Sequence, residues 1–172
     1  MIRFGILTIS DRSSSNTRPD TSGPALVAKI NAVPYDVTHT DLISDDLEKI
    51  QEILLAWCDS GDVDVILTTG GTGFSQRDNT PEATRAVIQK STPGISEAIR
   101  SQGLLKTPHA MLSRGVAGIR AQTLIVNLPG SPKAALESLE AILPVLPHAV
   151  ALINSEPDAE DGHTPGPSRN IN

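Results

Sequence analysis

The 172-residue sequence predicts an α/β fold of three layers, a mostly parallel sheet with helices on both faces. Three observations carry this. Short runs rich in Val, Ile and Leu, at residues 2–9, 63–68 and 123–128, alternate with stretches whose apolar residues recur at helical spacing. These runs are almost continuously apolar, as strands buried on both faces are. Aromatic residues make up only 2% of the chain, so Val, Ile, Leu and Ala must fill the core, which suits buried strands under covering helices.

Residues 2–9 form the first strand and stop at the polar stretch 10–16, read as a loop. Ser22-Gly23-Pro24 opens a short helix through Leu26, Val27 and Ile30, with Ser22 as its cap. Residues 33–40 make a second strand whose start Pro34 weakens. Ser44 caps the next helix, with Asp45 and Asp46 in its first turn. Leu47, Ile50, Ile53, Leu54 and Trp57 form one apolar face, and Gly61 ends the helix. Residues 63–68 are the central strand and run straight into Thr69-Gly70-Gly71-Thr72-Gly73. Thr80 caps a further helix with Pro81 at its first position; Pro93-Gly94 breaks it before a continuation over 95–100. Residues 111–119 are ambiguous, an edge strand being one reading. Residues 123–128 are a buried strand, followed by the turn Pro129-Gly130-Ser131-Pro132 and a helix carrying Leu136, Leu139, Ile142 and Leu143. Pro144 and Pro147 break or kink that helix. Residues 1–155 thus read as one domain. Residues 156–172, polar and rich in Pro, Gly and acids, read as a disordered tail.

The formal net charge is −6 with no basic stripe, which argues against nucleic acid as a partner. Scarce aromatics argue against base-stacking surfaces too. Cys58 is the single cysteine, so no internal disulfide forms; it reads as a small buried hydrophobe, and a reducing, cytoplasmic setting is expected. No run of about 18 apolar residues suggests membrane insertion, and the N-terminal run lacks the form of a signal peptide.

In a parallel sheet, ligands bind beyond the carboxyl ends of the strands. That rule gathers the loops at Ser10, Gly70 and Pro129 on one rim. In Thr69-Gly70-Gly71-Thr72-Gly73, glycines let successive N–H groups face one anion, and the threonine hydroxyls add donors. The spacing is neither a dinucleotide fingerprint nor a Walker A loop. Arg77 can pair with phosphate oxygens and Asp78 can hold Mg²⁺, although Asp78 can equally help cap a helix. Asp45 has the same two readings. Asn127 is either a ligand contact or a satisfied turn amide, and the helix start at Ser131 is a second place for an anion. Ser113 and Arg114, read locally, are an ordinary strand or turn serine and a surface charge.

Leu67-Thr68-Thr69-Gly70-Gly71-Thr72-Gly73-Phe74, then Arg77-Asp78 and Thr80-Pro81-Glu82-Ala83-Thr84, resembles the signature of the molybdopterin adenylyltransferases, a family that includes the gephyrin G domain. Ile9-Ser10-Asp11, Thr107-Pro108, Met111-Leu112-Ser113-Arg114, Gly118-Ile119-Arg120 and Leu124-Ile125-Val126-Asn127-Leu128-Pro129-Gly130 also match, so the resemblance spans roughly residues 3–153. It implies a Rossmann-like fold of the molybdenum-cofactor-biosynthesis type. It also implies a Mg²⁺-dependent transfer of AMP from ATP to the terminal phosphate of molybdopterin, with release of pyrophosphate. Asp45 and Asp78 match the two essential aspartates, and are the candidate Mg²⁺ ligands. Ser113 matches a serine on the pterin side; Asn127, Pro129 and Gly130 match the nucleotide side, with Ser10 nearby. A homotrimer and a molybdate-inserting (MoeA-like) partner protein are further implications. The alternative is a non-catalytic molybdopterin-binding or trimeric scaffold module of the gephyrin type. The sequence departs from the family pattern at Gln76, where proline is common, and at Asn79, where an aliphatic residue is usual.

Overall fold

The seven residues Arg3–Ile9 form β1, and every one after Arg3 is buried, as expected of a strand covered on both faces. The computed structural model describes residues 1–155; the tail expected over 156–172 lies outside them. Further strands are β2 (Asp36–Ile43), β3 (Val65–Thr69), β4 (Lys90–Ser91), β5 (Ala117–Arg120) and β6 (Thr123–Leu128). They form one six-stranded sheet in the order β2-β1-β3-β6-β5-β4. β2, β1, β3 and β6 pair in parallel, whereas β5 is antiparallel to both β6 and β4. Among the described strands only β5 therefore runs against the rest, and the expected mostly parallel sheet is found.

The helices are α1 (Asp11–Ser14), α2 (Ser22–Asn31), α3 (Leu47–Ser60), α4 (Thr80–Val87), α5 (Pro93–Leu104), α6 (Pro132–Ile142) and α7 (Leu146–Ile153). Alternate strand residues serve opposite faces. Phe4, Ile6, Val65, Leu67, Leu124, Val126 and Leu128 pack with Leu26 and Ile30 of α2, Ile99 of α5, and Leu139 and Ile142 of α6. Leu7, Ile9, Ile66 and Ile125 pack with Ile50, Leu54 and Cys58 of α3, and Ala83 and Val87 of α4. The three layers follow directly. Burial pushes the Cys58 thiol up to about 11, so it stays protonated as an inert core group.

Several local expectations change. The polar stretch after β1 contains a helical turn, α1, because the Ser10 hydroxyl accepts from the Ser13 amide. α2 is held at its start by Asp20, whose Oδ1 accepts from the amides of Ser22 and Gly23, not by Ser22. β2 begins three residues later than expected, beyond Pro34. α3 is capped by Asp46 rather than Ser44: the Asp46 carboxylate accepts from the Lys49 amide at 3.1 Å. Asp45 thus stands before the helix rather than in its first turn. Thr80 is not a cap either; it is fully buried, and its hydroxyl donates to the Gly70 carbonyl at 2.9 Å. Pro93 starts a new helix after the short strand β4, and residues 111–119 divide between a 3-10 turn (Pro108–Leu112) and β5, which is internal to the sheet. The stretch Pro132–Ile153 is long and apolar enough to cross a membrane by length and composition, contrary to the sequence expectation. Its residues Leu139, Ile142, Leu146 and Val150 nevertheless belong to the larger core cluster.

Candidate active site

The register of the sheet builds the site. Ile9 lies opposite Ile43, Thr8 opposite Thr69, and Thr69 opposite Leu128, so β1, β2, β3 and β6 all end at one level. Their following loops meet there: Ser10-Asp11, Ser44-Asp45, Gly70–Asp78 and Pro129–Ser131. Three of these were expected on the rim. The fourth, after β2, brings Asp45 beside Asp11, and the Ser10 amide donates to the Ile43 carbonyl at 2.9 Å to hold the two strand ends together.

Gly70 and Gly71 have φ of +102° and +62°, in the region that glycine tolerates and other residues rarely adopt. A β-carbon on Gly70 would lie 2.1 Å from the Ile9 carbonyl oxygen; one on Gly71 would lie 2.3 Å from the Thr80 hydroxyl and 2.8 Å from Asp45 Oδ1. The turn therefore presses bare backbone against β1 and against Asp45. Thr69 is buried, and its hydroxyl donates to the Pro129 carbonyl at 2.7 Å, joining this loop to the one after β6. Gly130 faces Gly70 so closely that a β-carbon on it would sit 3.1 Å from the Gly70 α-carbon.

Two cavities meet along this seam. One, of about 830 Å³, reaches from Gly71, Thr72 and Gly73 to Ser113, Leu112 and Lys106. The other, of about 610 Å³, reaches from Gly70 and Gly71 to Ser10, Arg12, Arg18 and Asp45. Gly71, Asp78, Gly130 and Ser131 line both. Ser131 caps α6 by accepting from the Ala134 amide at 3.2 Å, so the start of that helix opens at the junction.

Asp45 is buried. Its Oδ2 accepts from the Asp11 amide at 2.8 Å, while its Oδ1 is buried with no hydrogen-bond partner. Burial pushes its carboxyl up; the Asp11 amide opposes this, and the charges of Asp11 and Asp78 add to it. The Asp11 carboxylate receives a fork from Arg77, with both bonds at 2.8 Å, which holds it below the usual carboxylate range. Asp78 is half-buried and closes a small turn: its Oδ2 accepts from the Ser75 amide and its own amide donates to the Ser75 carbonyl, both at 3.0 Å. Of the two departures from the family pattern, Gln76 is exposed, and Asn79 donates from Nδ2 to the Asp45 carbonyl at 3.4 Å, a polar link an aliphatic residue cannot make.

Asn127 does not open onto either cavity. It is buried, its Nδ2 donates to the hydroxyls of Thr68 and Thr84 at 2.9 Å each, and its Oδ1 accepts from the Val116 amide at 3.2 Å. Of its two sequence readings, the geometry is that of a satisfied interior amide. Of the Pro129-Gly130 turn, Pro129 lines the cavity that contains Ser113, and Gly130 lines both that cavity and the one that contains Ser10. Arg114, read locally as a surface charge, is placed otherwise. It is a clamp, not a surface charge: Nε donates to the Gly73 carbonyl at 2.7 Å, Nη2 to the Asp78 carbonyl at 2.6 Å, and the guanidinium also pairs with Glu82. Burial pushes the Glu82 carboxyl up, but the bonds and charge of Arg114 outweigh it and the net shift is downward.

Residues 5–148 match the family described as probable molybdopterin binding domain. The chain belongs to this family. A molybdopterin adenylyltransferase of Helicobacter pylori (strain J99) is 43% identical over 155 residues, covering 88% of each chain. Gephyrin of Dictyostelium discoideum is 45% identical over 163 residues, which cover 89% of this chain and 23% of that protein. The chain thus spans about a quarter of that longer relative. The crystal structure of the molybdopterin biosynthesis enzyme MoaB from Thermus thermophilus superposes with a TM-score of 0.85 at 50% identity, covering 91% of this chain and 98% of that one. In this member of the family the glycine turn of residues 70–73 lies on the rim of the sheet, with Asp45 and Asp78 beside it.

Proposed function

We propose that this protein is a molybdopterin adenylyltransferase acting in molybdenum cofactor synthesis. The terminal phosphate of molybdopterin attacks the α-phosphorus of ATP, the bond to the β-phosphate breaks, and adenylyl-molybdopterin and pyrophosphate leave. One observation carries the reading: two cavities share a junction floored by bare backbone, with a buried, unpartnered carboxylate oxygen of Asp45 beside it. Two phosphorylated substrates entering from opposite sides can place their reacting groups there.

The residues then divide the work. The cavity walled by Ser113 takes the pterin, and the one walled by Ser10 takes the nucleotide. The N–H groups of residues 71–73 and the start of α6 hold phosphate oxygens, the Gly70 N–H being already bonded to the Leu128 carbonyl at 3.3 Å. Transfer of this type needs positioning and charge stabilisation more than proton relays. Asp45 and Asp78 fit Mg²⁺. They are hard oxygen donors, Asp45 has an oxygen to spare, and the described residues hold no cluster of three or more metal-ligating side chains that would bind an ion alone. That donor set suits an ion completed by substrate phosphates. When bound, Mg²⁺ neutralises polyphosphate charge. A homotrimer, a cytoplasmic setting and hand-over to a molybdate-inserting protein complete the proposal; the lone buried thiol of Cys58 supports a reducing compartment.

The deciding experiment incubates the protein with molybdopterin, ATP and Mg²⁺ and detects the adenylylated product. Product that requires ATP supports the enzyme. Pterin binding without product would favour a non-catalytic module, and light scattering that shows only monomer at micromolar concentration would remove the trimer.

A further inference from the structure

The loop from Gly73 to Asp78 carries one of the two aspartates, yet residues 74–77 are exposed and form no helix or strand. Such a segment opens easily unless something outside it holds it. Its Arg77 fork to Asp11 is at the surface, with both side chains well exposed. Arg114 is the more sheltered anchor. Its backbone amide donates to the Thr72 carbonyl at 2.9 Å, just before the loop. Its guanidinium grips the loop's first and last carbonyls, Gly73 and Asp78, at 2.7 and 2.6 Å. The same group pairs with Glu82 on α4, which fixes the plane of the fork. Pinning the Asp78 carbonyl sets the backbone from which its carboxylate projects to the shared edge of the two cavities.

Arg114 also follows directly on Ser113, which walls the larger cavity and whose hydroxyl accepts from the Gly115 amide at 3.3 Å. One residue therefore connects the wall of one cavity to the acid at the junction. We propose that Arg114 is a positioning residue for the transfer reaction, holding Asp78 at the junction and tying it to the Ser113 wall. It acts through Asp78 and does not touch substrate. The proposal rests on the function proposed above. A lysine cannot replace it, because a single ammonium has no planar fork to span three acceptor groups.

The test is a double-mutant cycle of Arg114→Met and Asp78→Asn, read by product formation and by hydrogen exchange, with Arg114→Lys as a second variant. Arg114→Met is expected to lower kcat by about 10–10² while changing KM for ATP by less than about threefold. In the Asp78→Asn background the same change should cost less than about threefold, because residues that act as a unit are not additive. Amides of residues 73–79 should exchange about tenfold faster or more in Arg114→Met, with β3 unchanged, since only local opening is affected. Arg114→Lys should not restore kcat. An equal kcat loss in both backgrounds, rescue by lysine, or unchanged loop exchange would each overturn the proposal. An unaltered protein that makes no product would sink the proposed function, whereas the exchange measurement would still decide whether Arg114 holds the loop.

Discussion

Asp11 and Asp45 are bonded head to tail: the Asp11 amide donates to the Asp45 carboxylate at 2.8 Å, and the Asp45 amide donates back to the Asp11 carboxylate at 3.0 Å. The exchange stitches the loops after β1 and β2 together and leaves the other Asp45 oxygen, Oδ1, beside Gly71, buried without a partner. Holding a carboxylate in that state costs stability.

Asp45→Asn keeps an oxygen for the Asp11 amide and removes the charge. It is expected to leave the protein at least as stable, within about 1 kcal/mol or better, while lowering the transfer rate on the order of 10²–10³, the loss typical of one electrostatic stabiliser. Asp78→Asn should show a similar rate loss, with the Ser75 turn intact. Thermal melts beside product assays check both. Near-normal turnover by Asp78→Asn at saturating ATP would remove that carboxylate from the reaction.

The glycine turn gives a graded stability test. Gly61 has φ of +74° with nothing within 4 Å of a built β-carbon, whereas at Gly70 φ is +102° and the β-carbon would meet the Ile9 carbonyl. Gly61→Ala should cost about 1–2 kcal/mol, the left-handed penalty alone. Gly70→Ala should cost more than about 3 kcal/mol, because collision adds to strain. Urea midpoints measure the difference; equal costs would mean that the turn relaxes freely.

Asn127→Leu replaces an interior amide of similar volume and strands the Val116 amide and the hydroxyls of Thr68 and Thr84. A loss of about 3 kcal/mol or more is expected, at about 1–3 kcal/mol for each of the three unsatisfied buried groups. KM for ATP in the folded fraction should stay within about twofold if the residue touches no substrate. A raised KM with unchanged stability would instead make Asn127 a nucleotide contact.

At the opposite end of the sheet, Asp64 accepts a fork and a backbone bond from Arg3. Burial pushes its carboxyl up, but these bonds and the Arg3 charge outweigh it, and it lies below the ordinary 3.8. A depressed folded pKa gives stability that is present above 3.8 and lost as pH falls through the folded value. Asp64→Asn should therefore be less stable than the parent at pH 7, with the gap closing as pH falls below the ordinary value. Asp45 has the opposite sign: its raised carboxyl costs stability as pH rises through the folded value, so any advantage of Asp45→Asn should grow from acid towards neutral pH. Denaturation curves across that range read both.

The sequence made β6 legible to the residue, because an unbroken apolar run met a Pro-Gly turn and a serine-proline helix start. Helix starts were legible only to within a few positions. Ser44, Asp45 and Asp46 are all acceptable caps, and backbone angles, not residue type, choose Asp46. β4 escaped because a two-residue strand has no period to detect. The pairing of Asp11 with Asp45 spans 34 positions and exists only once β1 and β2 lie side by side. Arg114 was illegible for the same reason: two of its acceptors are backbone carbonyls, which carry no mark in a sequence, and the third group, Glu82, lies 32 positions away.

The seam at Gly70 and Gly130 has a consequence for how proteins of this design can diverge. Where two chambers meet across the bare main chain of Gly70, Gly71 and Gly130, those positions offer no side chain for selection to adjust, and the side chains that do reach the junction, Asp45, Asp78 and Ser131, are held by the transfer itself. A substitution at the seam changes the path of the strands rather than the shape of a binding surface. Novel preferences for one substrate over another must arise at the outer ends of the chambers, near Lys106 and Leu112 on one side and Arg12 and Arg18 on the other. The place where bonds are exchanged can stay fixed in shape while the molecules admitted to it change.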